Sequence, residues 1–187
     1  MKKSDVTKNY QTLPVVLIGM MGAGKSSVGR ALAKLMGLPF HDADSEIEAA
    51  AGRSPQQIFE EYGEAEFRRL ERQVIARLLE GPRCVLSLGG GAFMEDETRA
   101  RVEEKAFSVW LKVDRDLLVE RVLRHGERPM LKGGDPRERM ATLLDAREPV
   151  YAGADLTVLC DDRPVAETAK RVLAAMQAGP ESQIPQA

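Results

Sequence analysis

The chain has 187 residues, 43% of them hydrophobic and 30% charged, the values of a globular chain long enough for one domain with a full core. A net charge of −2 gives no electrostatic reason to expect nucleic acid or an anionic membrane as partner, no apolar run approaches a membrane span, and the polar first residues lack the apolar core of a signal peptide. The two cysteines, Cys84 and Cys160, form neither a disulfide framework nor metal-ligand spacing, which fits a reducing cytoplasm.

In chain order, residues 1–13 read as a loose polar leader, 14–178 as a single domain, and the tail 179–187 as disordered. Pro14-Val15-Val16-Leu17-Ile18 is a short apolar run rich in β-branched residues, the pattern of a buried parallel strand. Val28, Ala31, Leu32, Leu35 and Met36 then recur at helical spacing, and Gly37 is a helix stop. Leu38-Pro39-Phe40 opens a second strand that runs into His41-Asp42-Ala43-Asp44, and a helix over 45–51 is ended by Gly52. Ser54-Pro55-Gln56-Gln57 carries the serine N-cap, N1 proline and N3 glutamine of a helix start. Phe67, Leu70, Val74 and Leu78 give a long helix one apolar face as far as Gly81-Pro82. A third strand over 84–88 ends in Gly89-Gly90-Gly91. There follow a helix over 95–104, a strand over 107–111 with Trp110 in the core, and an Asp114-capped helix to Arg124. A turn-rich loop over 125–136, a helix over 137–147, a strand over 156–159 and a helix over 164–177 complete the chain. Such alternation predicts an α/β fold: a doubly wound parallel sheet of about five strands with helices on both faces. Ligands then bind at loops along the carboxyl edge of the strands.

The junction between the first strand and helix, Gly19-Met20-Met21-Gly22-Ala23-Gly24-Lys25-Ser26, fits the phosphate-loop pattern G-x-x-x-x-G-K-[ST] at each fixed position. Free backbone amides and the helix dipole favour an anion there. Gly22, Ala23, Gly24, Lys25, Ser26 and Ser27 are therefore candidate ATP contacts, with Lys25 reaching the β- and γ-phosphates and Ser26 ligating Mg²⁺. Three further features fall at the same edge. Asp42 and Asp44, at i and i+2 of extended chain, point to one side. One could hold a metal through water and the other accept a proton from a hydroxyl; the alternative is a helix-capping acidic turn. Gly89, Gly90 and Gly91 offer a small ligand bare backbone, or form only a tight turn. Arg68, Arg121, Arg124, Arg128 and Arg147 could fork carboxylates or phosphates, or be solvated surface; spacing alone cannot bring them together. His41 and His125 pair with no cysteine or serine and read as surface or structural.

Taken together these segments resemble the shikimate kinases. The matching pieces are Gly19 through Ser26, Phe40-His41-Asp42-Ala43-Asp44, Gly63-Glu64-Ala65-Glu66-Phe67-Arg68-Arg69-Leu70-Glu71, Leu88-Gly89-Gly90-Gly91-Ala92, Arg128-Pro129-Met130-Leu131 and Arg147-Glu148-Pro149-Val150-Tyr151, in family order over about 14–165. The resemblance implies a P-loop NTPase-type fold and ATP-dependent phosphorylation of the shikimate 3-hydroxyl, in the pathway to chorismate and the aromatic amino acids. It implies that Asp44 binds substrate hydroxyls and takes the proton, and that Asp42 supports Mg²⁺ through water. Arg68 and Arg147 would hold the shikimate carboxylate, Gly89–Gly91 line the pocket, Arg128 meet the transferring phosphate and Arg121 lie against adenine. A substrate-binding subdomain over about 42–70 and a lid over about 124–136 are implied, in a cytoplasmic monomer. Two departures stand out. The lid reads Arg-Pro-Met-Leu where Arg-Pro-Leu-Leu is commoner, and Asp161-Asp162-Arg163-Pro164 matches the other adenine wall only loosely. Arg121 against Arg124 stays open for the adenine contact. Two other functions fit parts of the pattern: a kinase for another polyol acid such as gluconate, and a non-catalytic nucleotide-binding module. The intact set Lys25, Ser26, Asp44 and Arg128 speaks against the second.

Overall fold

The computed structural model describes residues 8–124 and 135–179. Five strands, β1 (Val15–Ile18), β2 (Phe40–Asp42), β3 (Val85–Ser87), β4 (Phe107–Val113) and β5 (Leu156–Cys160), form one sheet in the order β2-β3-β1-β4-β5. All the pairs are parallel. The central strand β1 is wholly buried, whereas the edge strand β5 alternates buried and exposed, as expected of strands covered on two faces and on one.

Among the described residues seven α-helices connect and flank the strands: α1 (Lys25–Met36), α2 (Ala43–Ala51), α3 (Pro55–Glu80), α4 (Asp96–Lys105), α5 (Arg115–Arg124), α6 (Pro136–Tyr151) and α7 (Val165–Ala178). From β1 to β2 the chain moves one way along the sheet, and every later crossover moves the other way. Right-handed crossovers therefore put α1 on one face and the helices between β2 and β5 on the other. The packing agrees: α1 lies against α7, while α3 meets α4 and α5 meets α6. The reversal around β1 is the switch point at which open α/β sheets bind ligands.

Local chemistry sets several boundaries as expected. Gly37, in the left-handed region at φ 64, ends α1 with the Leu38 amide turned back to the Ala33 carbonyl. Ser54 and Gln57 form a reciprocal capping box, and Asp114 caps α5 through the amides of Asp116 and Leu117.

Four elements depart from the expectations. First, β2 stops at Asp42 and α2 starts at Ala43, so Asp44 lies in a first helical turn instead of extended chain. Asp42 is the cap, its Oδ1 accepting from the Asp44 amide at 3.2 Å, and a capped helix outcompetes further extension. Second, α3 is two segments joined at Gly63, whose φ of 83 and ψ of 173 are not helical. Third, α6 continues to Tyr151 with Pro149 inside its last turn, where proline removes one bond without ending the helix. Fourth, residues 8–13 are tied down where a loose leader was expected. Lys8 Nζ donates to the Ala106 carbonyl at 3.0 Å and pairs with Asp155 at 2.9 Å. Arg83 donates to the carbonyls of Tyr10 and Leu13, and Tyr10 packs edge-on against Phe107.

Candidate active site

The carboxyl ends of β1, β2 and β3 carry the phosphate loop, the Asp42–Asp44 turn and the three glycines. They open into a cavity of about 560 Å³ lined by Met21 through Val28, Asp42, Asp44, Ser87 through Gly90, Arg121, Val122, Arg124, Cys160 through Arg163, Val165 and Thr168.

The loop is built from backbone. Gly22 and Gly24 have φ of 81 and 83, a left-handed conformation that glycine adopts without the Cβ clash. Gly24 caps α1 with no side-chain bond, leaving the first-turn amides arranged for an anion. Lys25, 9% exposed, donates its Nζ to the carbonyls of Gly19 and Met20 at 2.8 and 2.9 Å. Ser26 Oγ donates to Asp42 Oδ2 at 2.6 Å, so Asp42 both caps α2 and meets the loop. This pair of hard oxygens suits Mg²⁺, which takes one or two protein oxygens and completes its shell with water and phosphate. Among the described residues no group of three or more His, Cys, Asp and Glu could hold a metal, and Mg²⁺ at a nucleotide needs none.

On the far side from the three glycines, Arg121 Nη2 donates to the Asp161 carbonyl at 2.7 Å and to Asp162 Oδ1 at 3.0 Å. Arg121 thereby joins the wall formed by 161–163. Arg124 also lines the cavity but pairs with Glu120 on its own helix. Cys160 lines this end too, and burial pushes its thiol up to about 11, so it stays protonated and a poor nucleophile at neutral pH.

The end beside the three glycines is built from side chains over bare backbone. A Cβ placed on Gly91 would stand 2.7 Å from Arg68 Nη2, and one on Gly90 would stand 3.3 Å from Arg147 Nη1. On Gly89 it would meet Glu71 Oε1 at 3.1 Å and Asp44 Oδ1 at 3.3 Å. Four charged side chains from α2, α3 and α6 therefore converge on a floor with no side chains. Arg68 Nη1 is held by Glu71 Oε2 at 2.6 Å. Glu71 is 1% exposed, and burial raises its carboxyl above the ordinary value against the pull of Arg68. Arg147, also buried, places Nη1 3.7 Å from the sulfur of Met20. Tyr151, one turn further along α6, donates its hydroxyl to the Gly90 carbonyl and lies 4.0 Å from the same sulfur. Its ring packs against Trp110, which is buried as expected.

Of the candidates read from sequence, the described residues thus bring together Gly22 through Ser27, Asp42, Asp44, Gly89, Gly90, Arg121 and Arg124 around one cavity. Arg68, Arg147 and Gly91 belong to the glycine floor beside that cavity and are not in its lining. Arg128, His125 and residues 125–134 of the expected lid lie outside the described residues. His41 bonds Glu46 at 2.7 Å and is not in the cavity lining. Sequence reasoning missed Met20 and Tyr151. Tyr151 was signalled by its i+4 spacing from Arg147 on one helix face; Met20, at a variable position of the loop pattern, carried no signal.

The family described as shikimate kinase matches residues 21–177. The shikimate kinase of Caulobacter vibrioides is 53% identical over 174 residues, 93% of this chain and 87% of that one. The shikimate kinase of Bradyrhizobium diazoefficiens is 51% identical over 87% of this chain and 78% of that one. Among solved structures, the Acinetobacter baumannii shikimate kinase in complex with shikimate superposes with a TM-score of 0.85 at 33% identity, covering 96% of this chain and 99% of that one.

Proposed function

The chain belongs to the shikimate kinase family of ATP-dependent kinases, and from that premise we propose how its residues divide the work of moving the γ-phosphoryl group of ATP to the 3-hydroxyl of shikimate. Phosphoryl transfer asks the protein for positioning and charge stabilisation more than for covalent chemistry. Lys25 exchanges the carbonyls of Gly19 and Met20 for phosphate oxygens and stabilises charge on the moving group. Gly22 through Ser27 hold the phosphates, and Arg121 lines the adenine. Ser26 and, through water, Asp42 would hold Mg²⁺, which would neutralise phosphate charge. Arg68 and Arg147 fork the shikimate carboxylate above Gly90 and Gly91. Asp44 orients the 3-hydroxyl and takes its proton as the new O–P bond forms and the bond to the ADP oxygen breaks. Arg128, from the segment expected to act as a lid over about 124–136, meets the transferring phosphoryl group. The products are shikimate 3-phosphate and ADP, and the enzyme works as a cytoplasmic monomer on small molecules without nucleic acid or membrane.

The observation that best supports this reading is the position of Asp44. It lines one cavity with Lys25 and Ser26 while its Oδ1 faces Gly89, the glycine next to those that Arg147 and Arg68 approach. A base between a phosphate site and a carboxylate site is what a hydroxy-acid kinase requires. The test is ADP release by the purified protein with ATP and shikimate, gluconate or no acceptor. Release that depends on shikimate is the expected result. Release that depends on gluconate, or on neither acid, would overturn the substrate assignment.

A further inference from the structure

Arg68 is approached by three carboxylates that differ in kind. Glu71 is buried and makes a 2.6 Å hydrogen bond to Nη1, and Glu64, exposed, lies 3.5 Å from Nη2 on the preceding turn. The third, Glu95, comes from a different element, the N-cap of α4. Glutamate is not among the favoured N-caps, which are short oxygen-bearing residues, and this one makes no side-chain cap bond. Its carboxylate instead faces two arginines, 4.0 Å from Arg68 Nε and 3.7 Å from Arg72 Nη1. Both separations exceed a hydrogen bond, and among the described residues the buried Arg68 Nε has no hydrogen-bond partner. Glu71 therefore orients the guanidinium, and Glu95 acts on it through charge alone.

We propose that Glu95 sets the affinity for the acceptor by opposing the incoming carboxylate. The inference rests on the reading of Arg68 as a carboxylate fork. A fixed negative charge beside that fork repels the ligand anion while contributing no bond that aims the fork. Because the Glu95 side chain is 38% exposed, the repulsion is that of a partly solvated pair and changes affinity by about two- to fivefold. It must also fade with salt, since the Debye length falls from about 10 Å at 0.1 M to 3 Å at 1 M.

The experiment is the shikimate KM and Kd of Glu95→Gln at low and high ionic strength, with Glu95→Asp as the charge-retaining control. Glu95→Gln is expected to bind shikimate about two- to fivefold more tightly at low salt, to converge on the wild type at about 1 M salt, and to keep its ATP KM. Glu95→Asp is expected to follow the wild type. A weaker or unchanged shikimate affinity in Glu95→Gln, a gain that survives high salt, or the same gain in Glu95→Asp would each overturn the proposal. Arg68→Lys separates the two levels. A raised shikimate KM there with no change in Glu95→Gln overturns the role of Glu95 alone. An unchanged KM in Arg68→Lys overturns the carboxylate fork and this proposal with it.

Discussion

The two ends of the proposed site would hold their ligands by different means. The nucleotide end is contiguous backbone: a few consecutive residues between β1 and α1, with glycines at positive φ and Lys25 resting on carbonyls of its own loop. The acceptor end is composite, with Asp44 from α2, Arg68 and Glu71 from α3 and Arg147 from α6 meeting over the glycines after β3. Peptide dipoles come with the turn itself, so a short segment can fix a phosphate. A carboxylate and a reacting hydroxyl need groups in directions no single segment supplies, so the sheet must gather them. The nucleotide end should then be sensitive to changes in one stretch of sequence, and the acceptor end to any element that shifts the convergence.

The largest effect is expected where the ends meet. Asp44→Asn should lower kcat by about 10²–10⁴-fold with ATP binding largely kept, whereas Asp42→Asn should raise the Mg²⁺ requirement. Steady-state kinetics with Mg²⁺ varied would expose an exchange of these phenotypes, which would break the division between the two carboxylates. At the backbone end, Lys25→Ala should lower kcat by at least about 10²-fold, the scale of one lost preorganised donor. Near-normal turnover would remove Lys25 from the chemistry. At the acceptor end, Gly91→Ala puts a methyl group against Arg68 Nη2, the far end of a flexible side chain. The chain should yield without loss of folding while the fork is displaced. The shikimate KM should therefore rise about 10-fold or more with Tm and the ATP KM nearly constant, and a fall in Tm with no change in KM would mean the glycine serves only packing. The smallest effect concerns Glu71. Its folded-state carboxyl is raised by burial above the ordinary 4.5, so the folded state holds this proton more tightly than the unfolded state. Stability from Glu71 is present below 4.5 and is lost as pH rises through the raised value. The unfolding free energy of wild type minus that of Glu71→Gln should fall as pH climbs above 4.5, and a flat or rising difference would contradict the buried-acid account.

The same contrast decides how much was legible in the sequence. The phosphate loop, the Gly37 stop, the Ser54–Gln57 box and the alternation of strands and helices are local, and each appears where its residues predict. Asp42 and Asp44 line the cavity, but by a different geometry from the extended one expected, because Asp42 caps a helix that begins two residues sooner. The kink at Gly63 was hidden because one glycine inside a helical pattern costs only about 1 kcal/mol and reads as tolerated. Lys8 falls in the stretch read as a loose polar leader, since nothing in its neighbourhood reveals Asp155. The approach of Arg68 and Arg147 to Gly91 and Gly90 is likewise invisible to spacing: the resemblance supplied the pairing, and only the parallel sheet brings α3 and α6 to one floor.

The central claim is that the acceptor end recognises its ligand through side-chain forks independent of the nucleotide end, and Arg68 tests it most directly. Arg68→Lys keeps the charge but loses the planar pair of donors. Arg68→Ala leaves the bound carboxylate without its partner, a loss of about 2–5 kcal/mol in binding. Steady-state kinetics of both variants, with each substrate varied in turn, should show the shikimate KM rising strongly in Arg68→Lys and further in Arg68→Ala while the ATP KM stays near the wild-type value. A shikimate KM unchanged in both variants, or an ATP KM that rises in step with it, would contradict the account.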